Sequence, residues 1–278
     1  MQLVHSKKSQ VKRLTEFILS TFVAVGYFAA ALTLDTFAQN VQLVLGNPTG
    51  ATSDERKHTN FLVVHEGYIL SYNRLRGTPN WVAWHLSASD LGMIDRPGNF
   101  RGDPNLNPSW RILHDDYTNS GYDRGHMTPS KDRSSGEEAN RETFLMSNVQ
   151  PQFGELNGGP WKTLEAYVQN QVESGEREAY QIAGCTGRRS RISEKVTVPT
   201  RCWKIVVLLA EGDKDRQRIG CSTRVIAIDM PNTRTVASDW RDYLTTVTKL
   251  EQKTGFDFFS ALSRPKQTCL ENKKDAGN

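Results

Sequence analysis

Cysteine is scarce in this chain, with four among 278 residues, which is too few for a fold built on disulfides. No two of the four are spaced as C-x-x-C, so a structural zinc protein is disfavoured. Apolar runs long enough to span a bilayer are missing after residue 34, and the mean hydropathy of −0.56 excludes a polytopic membrane protein. A content of 37% hydrophobic and 24% charged residues indicates an ordinary globular protein with a sizeable core.

A large excess of one charge sign is also absent. The formal net charge is +4, and half of it comes from the first 38 residues. Bulk charge therefore gives no argument for nucleic-acid binding, and only a local basic patch could supply one. The chain has no helix-turn-helix or zinc-finger pattern to read bases, and no G-x-S-x-G that would indicate a serine hydrolase.

The amino end has the pattern of an export signal. Residues 1–16 carry four basic side chains, residues 17–34 carry no charge, and Ala38 precedes the polar Gln39. This pattern predicts a signal peptide over residues 1–38 and a secreted or periplasmic protein without stable membrane association after cleavage. An uncleaved membrane anchor at residues 17–34 is the alternative, and a mitochondrial leader is a weaker third.

Export would permit disulfide bonds among the four cysteines. The sequence allows three pairings and does not choose between them. Four buried free thiols are an equally good interpretation. The residues concerned are Cys185, Cys202, Cys221 and Cys269.

The exported part shows no repeat, no low-complexity tract and no linker, so we predict one domain over residues 39–265 and a polar, frayed tail over 266–278. Apolar patterns predict strands first, helices in the middle and strands again, which is typical of α+β proteins with a mixed or antiparallel sheet. Strands are predicted at 61–65, 68–73, 80–86, 178–183, 203–210 and 224–230. Helices are predicted at 135–147, at 161–174 and from a cap at Asp239 to about Lys253.

The segment 121–165 contains an unusual set of polar residues. His126 has a side chain whose reference pKa of about 6.5 suits a general base. Arg124 lies two residues earlier, and a histidine beside an arginine suits attack on a phosphate, because one removes a proton and the other holds negative oxygen. The alternative for any single histidine is a structural hydrogen-bonding role.

Asn157 and Glu165 are candidates for a cation site. An amide oxygen suits Mg²⁺, Mn²⁺ or Ca²⁺ rather than Zn²⁺, but Asn157 also precedes a predicted helix and could be its N-cap. Glu165 lies one helical turn after Trp161, beside the apolar face. It is either a solvated flank of the helix or a carboxylate directed at a cation.

These residues belong to a larger pattern, GYDRGHMTPSKDR…FLMSNVQPQ…LNGGPWKTLEAYV. In this order the motifs closely resemble those of the sugar-non-specific DNA/RNA endonucleases, the ββα-metal or His-Me-finger nucleases, and most closely the secreted cyanobacterial members. The resemblance extends over nearly the whole exported chain. It implies an α+β fold with a ββα-metal core and a mixed, mainly antiparallel central sheet flanked by helices.

The resemblance also implies roles for the polar residues. His126 corresponds to the general base, and Asn157 to the single protein ligand of one Mg²⁺ (or Mn²⁺) ion. Glu165 corresponds to a residue that holds a metal-bound water. Asn148 would orient His126 or its neighbours.

Two arginines match phosphate-binding positions of that family, Arg96 in D-R-P-G-N-F and Arg124 in D-R-G-H. Asp123 is expected to support the structure by hydrogen bonding. This chain departs from the pattern at Gln169, where the family often carries another arginine, and this change implies weaker phosphate contact.

The implied activity is metal-dependent, sequence-indifferent hydrolysis of DNA and RNA to 5′-phosphorylated fragments, with the nucleic-acid backbone as partner and an inhibitor protein as a further one. Alternatives are a non-catalytic nucleic-acid-binding protein and a phosphodiesterase for small molecules. A basic cluster at 187–204 either neutralises phosphates or is a solvated loop. Four aromatic residues either stack on bases or belong to the core, namely Trp81, Trp84, Trp110 and Tyr122.

Overall fold

A computed structural model describes residues 40–278, so the predicted export signal lies outside the described residues. The strands in this part are β1 Phe61–Val64, β2 Ile69–Asn73, β3 Thr78–Leu86, β4 Asp123–His126, β5 Val149–Gln152, β6 Arg177–Thr186, β7 Ser190–Ile192, β8 Val196–Val198, β9 Arg201–Ala210 and β10 Arg224–Pro231. The α-helices are α1 Glu137–Thr143, α2 Lys162–Val172, α3 Asp215–Arg218, α4 Val247–Thr254 and α5 Arg264–Glu271.

Shorter helical segments connect these elements. A helical turn at Gly154–Leu156 runs into a π-helical segment at Asn157–Trp161, directly before α2. The 3₁₀ segments are Val41–Leu43, Glu55–Lys57, Ala88–Asp90, Pro108–Trp110, His114–Tyr117, Ser130–Arg133, Met146–Asn148 and Trp240–Tyr243.

A six-stranded sheet in the order β1-β2-β3-β6-β9-β10 forms the centre, and its strand pairs are all antiparallel. β6 and β9 are buried along almost their whole length, as expected for central strands covered on both faces. The sheet and its flanking helices confirm the predicted α+β class. The predicted hairpin is also confirmed, since β1 and β2 pair from Phe61 opposite Tyr72 to Val64 opposite Ile69.

Two disulfide bonds tie the described chain together. Cys185 and Cys202 are directly paired across β6 and β9 and are bonded to each other. Cys221 is bonded to Cys269 and so fastens α5 to the loop before β10. The described residues contain no free cysteine, so the interpretation as four free thiols is wrong.

The predicted helix from Asp239 to Lys253 is wrong as a single element. Asp239 caps only the 3₁₀ turn Trp240–Tyr243. The chain then pairs with the edge of β10, where Leu244 bridges Ile228 and the Thr245 amide donates to Ala227. This pairing replaces helical hydrogen bonds, and α4 begins only after a new cap at Thr246, whose hydroxyl accepts from the Lys249 amide.

The carboxyl end also differs from the predicted frayed tail. Residues 264–271 form α5, which buries Gln267 and Leu270. Further on, the Asp275 carboxylate accepts two hydrogen bonds from the Arg224 guanidinium. Polar composition did not indicate this helix, because its attachment depends on a disulfide and on contacts with distant parts of the chain.

A smaller unit positions the chemistry. β4 pairs antiparallel with β5, with His126 opposite Val149 and Asp123 opposite Gln152. The chain leaves β5 through the helical turn and enters α2, whose Leu164, Val168 and Val172 are buried in the core. This strand–strand–helix arrangement brings β4 and the start of α2 to one cavity.

Candidate active site

A cavity of about 760 Å³ opens between the loop 92–100, β4 and the first turns of α2. Six of the seven residues to which the sequence and the resemblance assigned roles line it, and Asn148 does not. The lining residues used below are Arg96, Phe100, Tyr122, Asp123, Arg124, His126, Asn157, Glu165 and Gln169.

His126 lies at the end of β4 against two aromatic rings. The centroid of its imidazole is 5.0 Å from that of Phe100 and 4.8 Å from that of Phe144. Its Nε2 atom is buried and makes no hydrogen bond within the described residues. Burial, and secondarily the nearby Arg96 guanidinium, lower the pKa of His126 to about 3. The imidazole is therefore neutral near pH 7 and able to accept a proton.

Steric crowding explains why D-R-G-H contains a glycine. A Cβ atom at Gly125 would lie 1.9 Å from Oε1 of Gln152 on the paired strand. Real Cβ atoms do not approach other atoms this closely, so a side chain here would have to displace the buried side chain of Gln152. Gly125 thus leaves room for the Gln152 side chain beside β4, next to His126.

Two arginines flank the imidazole. The Arg96 guanidinium lies 5.5 Å from the Phe144 ring centroid. That of Arg124 lies 5.9 Å from the Phe100 centroid and donates to the His114 carbonyl at 2.8 Å. The Nε of Arg124 is buried without a hydrogen-bond partner in the described residues. Within residues 40–278 neither guanidinium pairs with a carboxylate, so both can contact an anionic substrate directly.

Asn157 lies in the π-helical segment before α2, and its Nδ2 donates to Oδ2 of Asp123 at 3.0 Å. The residue directly before α2 is Trp161 and makes no side-chain cap hydrogen bond, so the N-cap interpretation of Asn157 is wrong. Because Nδ2 is used in this bond, Oδ1 is the amide atom left for a cation. Asp123 has the supporting role that the sequence predicted.

Glu165 is not a solvated flank of α2, because its side chain is only 15% exposed and pairs with Lys204, which is fully buried on β9. The Glu165 Oε1 to Lys204 Nζ distance is 3.2 Å. Lys204 Nζ also lies 4.4 Å from the Trp161 ring centroid and 5.3 Å from that of Trp84, a cation–π arrangement. Burial raises the pKa of Glu165, and the lysine opposes this shift.

A second buried carboxylate, to which no sequence motif pointed, completes this network. Asp132 accepts from the Trp84 indole at 2.9 Å and from Gln169 at 2.7 Å. Burial raises the pKa of Asp132, whereas these hydrogen bonds and the charge of Lys204 lower it. Gln169, the position at which this chain departs from the pattern that the resemblance implies, donates this hydrogen bond to Asp132. A lone lysine inside the apolar strand 203–210 was the available signal for this cluster.

Asn148 does not hydrogen-bond His126. Its amide is fully buried and bonds to backbone groups, accepting from the Thr128 amide and donating to the carbonyls of Thr128 and Thr143. In addition, its own carbonyl accepts from the Met127 amide. Asn148 therefore holds the chain that follows His126, which agrees with the expected effect on the neighbours of His126 rather than on the imidazole itself.

The basic cluster at 187–204 is not one phosphate-binding loop. Lys204 is buried, Lys195 pairs with Asp116, and Arg201 pairs with Asp229. Of the four aromatic candidates for base stacking, the three tryptophans belong to the core. Only Tyr122 lines the cavity.

The residues present fit a hard divalent cation. Oxygen donors, one amide and nearby carboxylates, are the ligands that Mg²⁺ and Mn²⁺ prefer. The cavity residues Asn157 and Asp123 are already joined by a hydrogen bond, which fixes the amide before a cation arrives. No cysteine lines the cavity, and its single histidine has a buried Nε2, so the donor set does not suit zinc.

The fold and this cavity define a nuclease, and comparison with known proteins gives the same class. Residues 46–265 match the DNA/RNA non-specific endonuclease family. The chain belongs to this family and is a hydrolase that acts on nucleic acids.

Individual relatives agree with the family. A nuclease of Nostoc sp. is 44% identical over 238 residues, which cover 85% of this chain and 86% of that protein. The mitochondrial nuclease EXOG of Danio rerio is 30% identical over 229 residues, covering 74% and 63%. A solved structure of EndoG in complex with EndoGI, described as showing the mechanism of EndoG inhibition, is similar with a TM-score of 0.68 and 26% identity, covering 82% of this chain and 93% of that one.

Proposed function

We propose that this chain is a divalent-metal-dependent endonuclease that cleaves DNA and RNA without sequence preference. The observation that carries the proposal is the meeting, at one cavity, of a neutral imidazole, two arginines and an amide that can hold a cation. Nothing in this lining resembles a base-reading helix or ribbon. Recognition of the backbone explains why substrates with different sugars and bases are accepted.

His126 takes a proton from the attacking water. The resulting hydroxide attacks phosphorus in line with the 3′ oxygen, which leaves, so the products carry 5′ phosphates. Arg96 and Arg124 bind the non-bridging oxygens and stabilise the charge that develops on them. A general base supplies only about 10²–10⁴-fold, so positioning and charge stabilisation must supply the rest.

One divalent ion, Mg²⁺ or Mn²⁺, would be held by Oδ1 of Asn157, with water filling most other positions. When bound, such an ion stabilises negative charge on the leaving oxygen. Glu165 would fix one of the water molecules through the carboxylate oxygen that does not contact Lys204. Lys204 keeps that carboxylate in place.

We further propose that the protein works outside the cytoplasm, as a secreted or periplasmic enzyme. The two disulfide bonds support an oxidising compartment, and the amino-terminal pattern supports export. Within residues 40–278 no helix is both long and apolar enough to cross a membrane. The similarity to EndoG, solved in complex with EndoGI, supports an inhibitor protein as a second class of partner beside nucleic acid.

Metal-titrated digestion tests the proposal. The processed protein should cleave supercoiled DNA and RNA with Mg²⁺ or Mn²⁺, and EDTA should stop both reactions. The variant N157A should require a much higher metal concentration than the wild type, because it lacks the amide oxygen. Cleavage that persists in EDTA, or binding of DNA without any cleavage, would contradict the proposed function.

The acid limit of activity should reflect the lowered pKa of His126. A base acts in its unprotonated form, so kcat/KM should persist well below pH 6.5 and fall only as the pH approaches the pKa of about 3. The measurement is a pH profile of kcat/KM on DNA, with circular dichroism to confirm that the protein stays folded. An acid limb centred near pH 6.5 in the wild type and missing from the residual activity of H126A would show that His126 titrates near its ordinary pKa, and would contradict the lowered value.

A further inference from the structure

Beside the cavity, two exposed arginines lie around one aromatic ring, a feature that the activity described above does not use. We propose that the surface formed by Tyr122, Phe153, Arg189 and Arg234, here called the Phe153 surface, binds backbone phosphates of the polynucleotide strand that flanks the cleaved bond. The inference rests on the proposed function and deepens it. It names the residues that contact the strand beyond the cleaved bond.

The Phe153 surface is continuous with the cavity. The ring centroids of Tyr122 and Phe153 are 4.7 Å apart, and Tyr122 also lines the cavity. Phe153 directly precedes the helical turn that leads to Asn157. A strand with one phosphate in the cavity can therefore continue onto Phe153 without leaving the protein surface.

The charge of this surface is positive and weakly compensated. The guanidinium of Arg189 lies 5.8 Å from the Phe153 ring centroid, and that of Arg234 lies 5.3 Å from it. Among the described residues, Arg234 of this surface forms an ion pair with Glu155. The two side chains approach to 4.0 Å, and both are exposed. An exposed pair at this distance contributes little. Two cations held close together in this way attract an anion such as a phosphate.

The surface is also built in advance of any ligand. Buried Asn232 accepts from the Phe153 amide and donates to the carbonyls of Pro151 and Pro199, and its own carbonyl accepts from Arg189 at 3.0 Å. One residue thus joins three separate segments of the chain beneath Phe153. Arg189 is held before binding, which lowers the entropic cost of contact with a strand.

DNA binding tests this assignment independently of cleavage. In the H126A background with EDTA, fluorescence anisotropy gives the Kd for a duplex of about 25 base pairs over a range of salt concentrations. Each lost phosphate contact lowers the slope of log Kd against log salt by about 0.9. R189A/R234A should therefore bind at least ~10-fold more weakly at low salt. Its slope should be lower than that of the H126A parent by the amount expected for about two contacts.

The matched control is K249A/K274A, which removes two exposed cations that neither line the cavity nor contact Phe153. It should bind as the H126A parent does. Because Arg189 also supports the local structure, R234A alone provides a second test. Arg234 is 70% exposed, and its loss should lower the slope by the amount expected for about one contact.

Unchanged affinity and slope in folded R234A and R189A/R234A would overturn the inference, as would an equal loss in K249A/K274A. This outcome is distinct from failure of the proposed function. If the enzyme cleaves DNA while both arginine variants bind normally, only the inference fails. If the Phe153 surface binds DNA but the wild type cleaves nothing with any metal, only the proposed function fails.

Discussion

The variant H126A should lose about 10²–10⁴-fold in kcat on DNA while retaining its affinity for DNA. The imidazole is the one neutral base in the cavity lining, and its buried Nε2 makes no hydrogen bond within the described residues. Arginines and a cation-binding amide remain in the variant, so the substrate still binds. The measurements are initial rates of plasmid nicking and a binding isotherm taken in EDTA.

The control for this variant is H114A. His114 is exposed and does not line the cavity, and only its carbonyl contacts Arg124, so an alanine preserves that hydrogen bond. H114A should cleave DNA at a rate close to that of the wild type. A near-wild-type rate for H126A would show that another group removes the proton, and the assignment of the general base would be wrong.

The variant K204M should lower the free energy of unfolding by about 3–5 kcal/mol and should also reduce cleavage. Methionine matches the length of lysine but leaves Glu165 without its cationic partner, and it removes one of the two cations, Lys204 and Arg133, whose charges act on Asp132. Burial raises the pKa of Glu165, and without Lys204 the shift would be larger, so the carboxylate would take up a proton more readily. Equilibrium denaturation and plasmid nicking measure the two effects.

A double variant separates the buried charge from the loss of packing. K204M/E165Q removes both members of the pair, so it should regain part of the stability lost in K204M, since no unpaired carboxylate remains at position 165. It should not regain activity, because Glu165 itself is missing. If K204M is as stable and as active as the wild type, the ion pair holds neither the fold nor the carboxylate.

The sequence predicted those parts of the site that depend on short segments. D-R-G-H, Asn157 and Glu165 all lie within residues 123–165, where two paired strands, a helical turn and α2 bring them together. Asn157 was a candidate N-cap and Glu165 a candidate solvated flank. Only the structure, which pairs Asn157 with Asp123 and Glu165 with Lys204, resolved these alternatives. Those partners could not be read from spacing, because the pairing of Lys204 with Glu165 depends on how β9 packs against α2.

Long-range contacts explain the other differences. The local sequence pattern favoured one helix from Asp239 to Lys253. The segment breaks because Leu244 pairs with Ile228 at the edge of the sheet, and this pairing supplies an alternative set of hydrogen bonds. The same limit applies to the Phe153 surface. Arg189 and Arg234 come from separate loops, and only the folded chain places both beside Phe153.

The most direct test is a crystal structure with Mn²⁺ and a short oligonucleotide that carries a non-hydrolysable linkage. Anomalous scattering locates the ion without assumptions about its ligands. The account predicts one peak about 2–2.5 Å from Oδ1 of Asn157, with the imidazole of His126 on the opposite side of the same phosphorus atom. An ion bound directly by His126, or a phosphate that contacts only one of the two groups, would contradict it.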